Sequence, residues 1–122
     1  MKLESTNVLR LLAETCERAA AGDLEARVNG LAANEDDLGR LSRAINHLLD
    51  IADSFVRESA AAMTECSHGR YHRPILLRGL PGAYRNSAVV INQAALKMKA
   101  DADKIAALET ERQQRNHEQN LR

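Results

Sequence analysis

Apolar residues recur along this chain at steps of three and four. The longest row runs through Asp36 to Ser67: Leu38, Leu41, Ile45, Leu48, Ala52, Val56, Ser59, Met63 and Cys66, at steps of 3, 4, 3, 4, 4, 3, 4 and 3. Such spacing holds one helix face toward a partner. The second consecutive step of 4, from Ala52 to Val56, is a stutter, an insertion that changes local winding without ending the helix.

Shorter rows flank the long one. Leu9, Leu12, Cys16 and Ala19 predict a helix over Thr6 to Ala21, with Ser5, Thr6 or Asn7 as its cap and Gly22-Asp23 as its end. Leu24, Val28 and Leu31 then stand apart around an Asn29-Gly30 turn, the mark of an extended connector. Asp36-Asp37 offer a carboxylate cap to the long helix, before Leu38-Gly39. That helix is expected to end near His68-Gly69. Arg70 to Leu80 reads as a second extended connector, because Pro74 has no amide to give a helix interior. Pro81-Gly82 is expected to form the first turn of the last helix. Its seam is Tyr84, Ser87, Ile91, Ala94, Met98, Asp101, Ile105 and Leu108, with Asp101 a polar guest. Past Leu108 the stripe fades, and residues 109–122 are a polar helical extension or a frayed tail.

The two halves align. Gly22, Leu24 and Val28 match Gly69, Tyr71 and Ile75 at an offset of 47. Leu9, Leu12, Cys16 and Ala19 match Val56, Ser59, Met63 and Cys66 at the same offset, while Ala44-Ile45-Asn46 matches Val90-Ile91-Asn92 at 46, one residue being lost in the second connector. The repeating unit is helix, glycine, connector with two apolar anchors, helix. The middle helix serves both copies. Residues 5–53 form the first unit and 54–108 a second, divergent one.

Two amphipathic helices bury little by themselves, so each unit needs a partner. Two chains side by side give a parallel four-helix bundle with connector anchors plugged between helices. The expected fold is therefore all-α: a parallel homodimeric four-helix coiled coil in two stacked units. An antiparallel bundle within one chain would also satisfy the heptads.

Composition narrows the function classes. The chain has 17 Lys plus Arg against 17 Asp plus Glu, and its aromatics are Phe55, Tyr71 and Tyr84. Neither a net field nor stacking platforms favour nucleic acid. No apolar run is long enough to cross a bilayer and Met1 to Arg10 lacks a signal-peptide core, so a cytoplasmic segment without membrane contact is expected. Cys16 and Cys66, 50 residues apart, read as small core residues rather than a zinc or disulfide pair.

Catalytic constellations are missing. His68 and His72 are four apart, but Gly69 and Pro74 interrupt any shared helical face, so no metal or other cofactor is expected. His47 flanks the seam and His117 lies in the polar tail. Arg78 to Gly82 lacks the Lys-Ser/Thr of a phosphate loop. Asn46 and Asn92 occupy equivalent places and are expected to hydrogen-bond connector backbone. No enzyme activity is expected.

Gly22-Asp23-Leu24 with Val28, then Asp36-Asp37-Leu38-Gly39 and Ile45-Asn46-His47-Leu48-Leu49, resembles a HAMP domain, the signal relay of bacterial chemoreceptors, sensor kinases and cyclases. In that family the glycine ends the first helix, the two connector residues plug the bundle, and an acidic-x-Gly motif opens the second helix; Asp37 stands where Glu is usual. Gly69, Tyr71, Pro74, Ile75 and Ile91-Asn92-Gln93 resemble the same pattern, with Leu80-Pro81-Gly82 in place of the acidic start. The whole is similar to concatenated HAMP units. The resemblance implies a module that passes a conformational signal along a dimeric coiled coil to downstream signalling helices of the same or a larger chain, such as a methyl-accepting chemotaxis or kinase-control domain. Its relay residues would be Gly22, Leu24, Val28, Asp36, Asp37, Gly39, Asn46, Gly69, Tyr71, Pro74, Ile75 and Asn92. Two alternatives remain: a helical sensor binding a small ligand or haem near Tyr71 and His72, and a passive dimerisation spacer.

Overall fold

The computed structural model describes residues 5–31 and 34–121, without the side chains of Ser5 and Thr6. Its described residues form three helices and no strand: α1 (Ser5–Ala20), α2 (Asp37–Ser67) and α3 (Gly82–Asn120). The chain divides into two compact units, Met1–Arg57 and Glu58–Arg122, with the boundary inside the uninterrupted α2.

Both connectors begin with the same helix end. Gly22 (φ 108°) and Gly69 (φ 77°) hold the left-handed conformation that glycine adopts without a Cβ penalty. The Gly22 amide donates to the Ala19 carbonyl and the Asp23 amide to the Arg18 carbonyl, at 3.0 and 2.9 Å. Gly69 donates to Cys66 and Arg70 to Glu65 at the same two distances. This is the Schellman arrangement, which satisfies carbonyls that a helix end would leave unpaired.

Unit one has a core of Val8, Leu12, Val28 and Leu31, against which Leu11, Leu38 and Ile45 pack. Thr15 is buried and its hydroxyl donates to the Leu11 carbonyl; Ser42 does the same to Leu38. In unit two the buried helix positions carry small side chains, Ala62, Cys66, Ala88 and Ala95, beside the connector residues Ile75 and Leu80.

Burial within one chain is displaced from the heptad row. Leu9, Cys16, Leu41, Leu48 and Val56 are exposed, Leu48 at 55% and Val56 at 53%, whereas Val8, Thr15, Ser42 and Leu49 are buried. The connector covers one flank of each helix; of the row, Leu12 and Cys66 are buried and Leu38 and Ile45 pack on the core, while the members named above stay open. Cys16 is thus not a core residue of the single chain, while Cys66 is buried.

Three boundary expectations change. Ser5, Thr6 and Asn7 lie inside α1 rather than capping it. Pro81 is the residue before α3, extended at φ −92° and ψ 158°, so it caps rather than forms the first turn. Its carbonyl accepts from the Tyr84 and Arg85 amides. Residues 109–120 are helical, continuing α3 as an exposed extension. Asp101, the polar guest, is exposed and pairs with Lys97 at 3.1 Å.

Candidate functional site: the clamped connectors

Each connector is an irregular strip of backbone that must find hydrogen-bond partners wherever it is buried. In unit one the partner is Asn46 on α2. The Val28 amide donates to Asn46 Oδ1 at 2.7 Å, and Asn46 Nδ2 donates to the Val28 carbonyl at 3.0 Å. One carboxamide therefore reads both polar groups of one residue, as a neighbouring β-strand would. Unit two repeats the device: Ile75 donates to Asn92 Oδ1 at 2.8 Å and Asn92 Nδ2 donates to the Ile75 carbonyl at 2.9 Å.

The clamped residues are also the deepest anchors, Val28 at 1% and Ile75 at 2% exposure. Apolar burial and polar satisfaction thus coincide on a single residue in each unit. Removing water from such an aliphatic side chain contributes about 1.5–3 kcal/mol. Only an amide places donor and acceptor side by side: a leucine would leave both backbone groups unpaired, and a carboxylate would meet the carbonyl with no donor. Spacing supports the device too. The clamp spans 18 residues in unit one and 17 in unit two, so the shorter second connector keeps it intact.

The other members of the predicted set are distributed as follows. Leu24 and Tyr71 are half-buried. Asp36 caps α2, its Oδ1 accepting the Gly39 amide at 2.9 Å, and Asp37 sits in the first turn. Gly39 is buried, and a Cβ there would lie 1.8 Å from the Asn34 carbonyl oxygen, so the connector backbone occupies the space a side chain would need. Pro74 is exposed. Val28, Asn46, Ile75 and Asn92 are brought together in pairs; Asp36 joins Gly39; Pro74 touches none of these through a hydrogen bond, having no amide hydrogen to donate.

Further contacts complete the connectors. Leu31 and Leu80 are buried as well, each following a turn glycine, Gly30 (φ 83°) and Gly79 (φ 84°). Arg27 bridges connector and helix, donating to Asp50 Oδ1 at 3.0 Å and to the Leu24 and Ala26 carbonyls at 2.6 Å. Nothing in spacing or hydropathy marks Arg27, because its role depends on which α2 residue the folded connector passes.

An ion pair straddles each Schellman turn with opposite polarity. Arg18 meets Asp23 at 2.6 Å, while Arg70 meets Glu65 through two bonds at 2.5 and 3.2 Å. The Arg18 hydrogen bond holds the Asp23 carboxyl below its usual range, and Arg70 does the same for Glu65. His47, His68, His72 and His117 are exposed, and no group of three or more potential metal ligands occurs among the described residues. An open depression on α3 lined by Asn86, Ser87, Val90 and Ile91 includes none of Tyr71, His72 or Tyr84. No described helix is long and apolar enough to cross a membrane.

Over 90 residues, 73% of its length, the chain is 43% identical to methyl-accepting chemotaxis protein Amb0994 of Paramagnetospirillum magneticum. The matched part is 20% of that protein, so the chain spans about a fifth of its relative. No family model matches the chain. No solved structure matches it either.

Proposed function

We propose that this chain is a signal-relay module of a chemoreceptor, built as two concatenated HAMP-like units at 5–53 and 54–108 in a parallel homodimer. The observation that carries the reading is the part of the heptad row that stays exposed. Leu9 and Cys16 on α1, and Leu41, Leu48 and Val56 on α2, are left open after the connector has packed on the neighbouring flank. A second copy with the same row would cover it, and a parallel seam places equal residues opposite one another. The relation to a methyl-accepting chemotaxis protein supports a role in receptor signalling.

In this reading the clamped residues tie each connector to the helix that follows it, so rotation or sliding of α2 or α3 carries the connector along. The relay set is Gly22, Leu24, Val28, Asp36, Asp37, Gly39, Asn46 for unit one and Gly69, Tyr71, Pro74, Ile75, Asn92 for unit two. Small buried side chains in unit two lower the cost of repacking between two states. The stutter from Ala52 to Val56 gives the units different helix phases. The module works on the cytoplasmic side, performs no catalytic step, and delivers its signal to downstream helices.

Oxidative trapping at Cys16 tests the arrangement. A Cys16 to Cys16 crosslink between two copies is expected, and a sedimentation mass of one chain at high micromolar concentration would overturn the dimer. Fusing the chain to a kinase-control domain tests the relay. Asn46→Ala or Val28→Ala is expected to shift kinase output at unchanged dimer mass; unchanged output would assign the chain to a passive spacer.

A further inference from the structure

The overall balance of charge conceals a sharp partition. Between His68 and Gly82 there are three Arg and no Asp or Glu, whereas Gly22 to Asp36 holds four Asp or Glu and the single basic residue Arg27. The partition follows the repeat. Asp23 and Arg70 occupy the same position after their Schellman glycines, Arg18 and Glu65 the same position before them, and Glu25 corresponds to His72. Two connectors with one backbone design thus carry opposite charge.

The charges lie at the surface. Glu25, Glu35 and Asp37 are exposed in the first connector region; His72, Arg73, Arg78 and Arg85 are exposed in the second. Asp23 and Arg70 are each neutralised by a pair within their own unit, Arg27 is committed to Asp50, and Arg43 donates to the Asn34 carbonyl at 2.8 Å. Arg73 has only a loose pairing with Glu58 at 3.7 Å, so Glu25 and Glu35 on one connector and Arg73 and Arg78 on the other carry the contrast. Leu76, 74% exposed, stands between Arg73 and Arg78.

From this charge complementarity we infer that the basic second connector of one copy docks on the acidic first connector of another copy, joining molecules laterally. The contact is heterologous, because the two surfaces that meet are different patches of the same chain. A bilayer would account for the basic connector alone, and leaves the inverted acidic copy without a role. Another copy of this chain uses both. The contact is distinct from the heptad row, which joins like to like. Exposed ion pairs contribute only about 0.2–1 kcal/mol each, so the association is weak, reversible and governed by salt. It serves to cluster modules without fixing them.

Sedimentation of the 122-residue chain at high micromolar concentration tests this. At about 10 mM salt, where screening extends about 30 Å, the average mass is expected to rise above its value at about 0.3 M and to keep rising with protein concentration, because a heterologous contact leaves a free patch at each end. Arg73→Glu with Arg78→Glu should hold the low-salt mass at the high-salt value, and Glu25→Lys with Glu35→Lys should do the same. Mixing these two variants should restore the rise, since the acidic connector of the first meets the basic connector of the second. Circular dichroism of each variant confirms its fold, and neither pair touches an anchor or a clamp. No rise at low salt, a rise that both variants retain, or mixing without recovery would overturn the inference. So would binding of the unaltered chain to phosphatidylserine vesicles without salt-dependent self-association. The high-salt mass tests the dimer separately, so either idea can fail alone.

Discussion

In unit one the chain begins its second helix tightly; in unit two it begins loosely. Asp36 caps α2 with a carboxylate, and the connector passes so close to Gly39 that no Cβ fits. At the matching places of unit two stand Gly82 and Arg85. Pro81 gives α3 no side-chain cap bond, Gly82 begins the helix at φ 51°, and Arg85 is exposed. Yet the carboxamide clamps on Val28 and Ile75 agree within about 0.1 Å. The helix start can vary between copies of this unit, while the bond from helix to connector anchor does not. The device therefore rests on the clamp and its anchor, and the acidic start is one of at least two ways to bring the chain to them.

Replacing the anchors gives the largest expected effect. Ile75→Ala should destabilise the chain by about 2–5 kcal/mol, through lost burial and the cavity left behind. Val28→Ala, with fewer atoms to remove, should cost less in a denaturant titration; the reverse order would mean that unit two is the looser of the pair throughout. Next come the clamps. Asn46→Ala and Asn92→Ala should each cost about 1–3 kcal/mol, through the two part-buried backbone groups left without their partner. Similar losses at the two positions are expected, and a negligible loss at Asn92 alone would break the equivalence of the two clamps.

Gly39→Ala separates the two helix starts. It forces the Asn34 backbone aside at a cost of about 1–3 kcal/mol, whereas Arg85→Ala should stay within about 0.5 kcal/mol of the parent protein. Thermal denaturation of both variants checks the contrast. Smallest is the effect of pH on the Schellman ion pairs. Asp23 and Glu65 are held below their ordinary ranges, so the unfolded chain takes up protons first as pH falls. Their contribution is complete above the ordinary carboxylate range and is lost as pH drops through the lowered folded values. Asp23→Asn should remove one part of that acid-side decline in melting temperature and Glu65→Gln the other, with the parent showing both.

Helices, glycine stops and the repeat are legible in the sequence because each depends on local spacing. Gly22, Gly69, Val28 and Ile75 follow from a period and an offset, and Asn46 with Asn92 stands out because both copies hold an amide at one place. Burial is less legible. The heptad row reads as core, but the single chain buries Val8, Thr15, Ser42 and Leu49 on the adjoining flank, because the connector packs there and hydropathy alone does not say where a connector lies. Cys16 reads as core for that reason and is exposed. Gly39 reads as part of a helix-start motif; its backbone contact with Asn34 comes from a fold-level approach that no residue pattern encodes. Arg27 and the inverted ion pairs likewise need three-dimensional neighbours before their charges acquire meaning.

The clamps also have a consequence in time. Loop amides normally trade their hydrogens with water quickly, but the Val28 and Ile75 amides are bonded to a side chain and sealed under buried aliphatic groups. Each connector is thus expected to carry a slowly exchanging amide outside any helix at its clamped residue. Deuterium uptake at these two positions would act as a pair of independent clocks, reporting how often each unit opens without disturbing either.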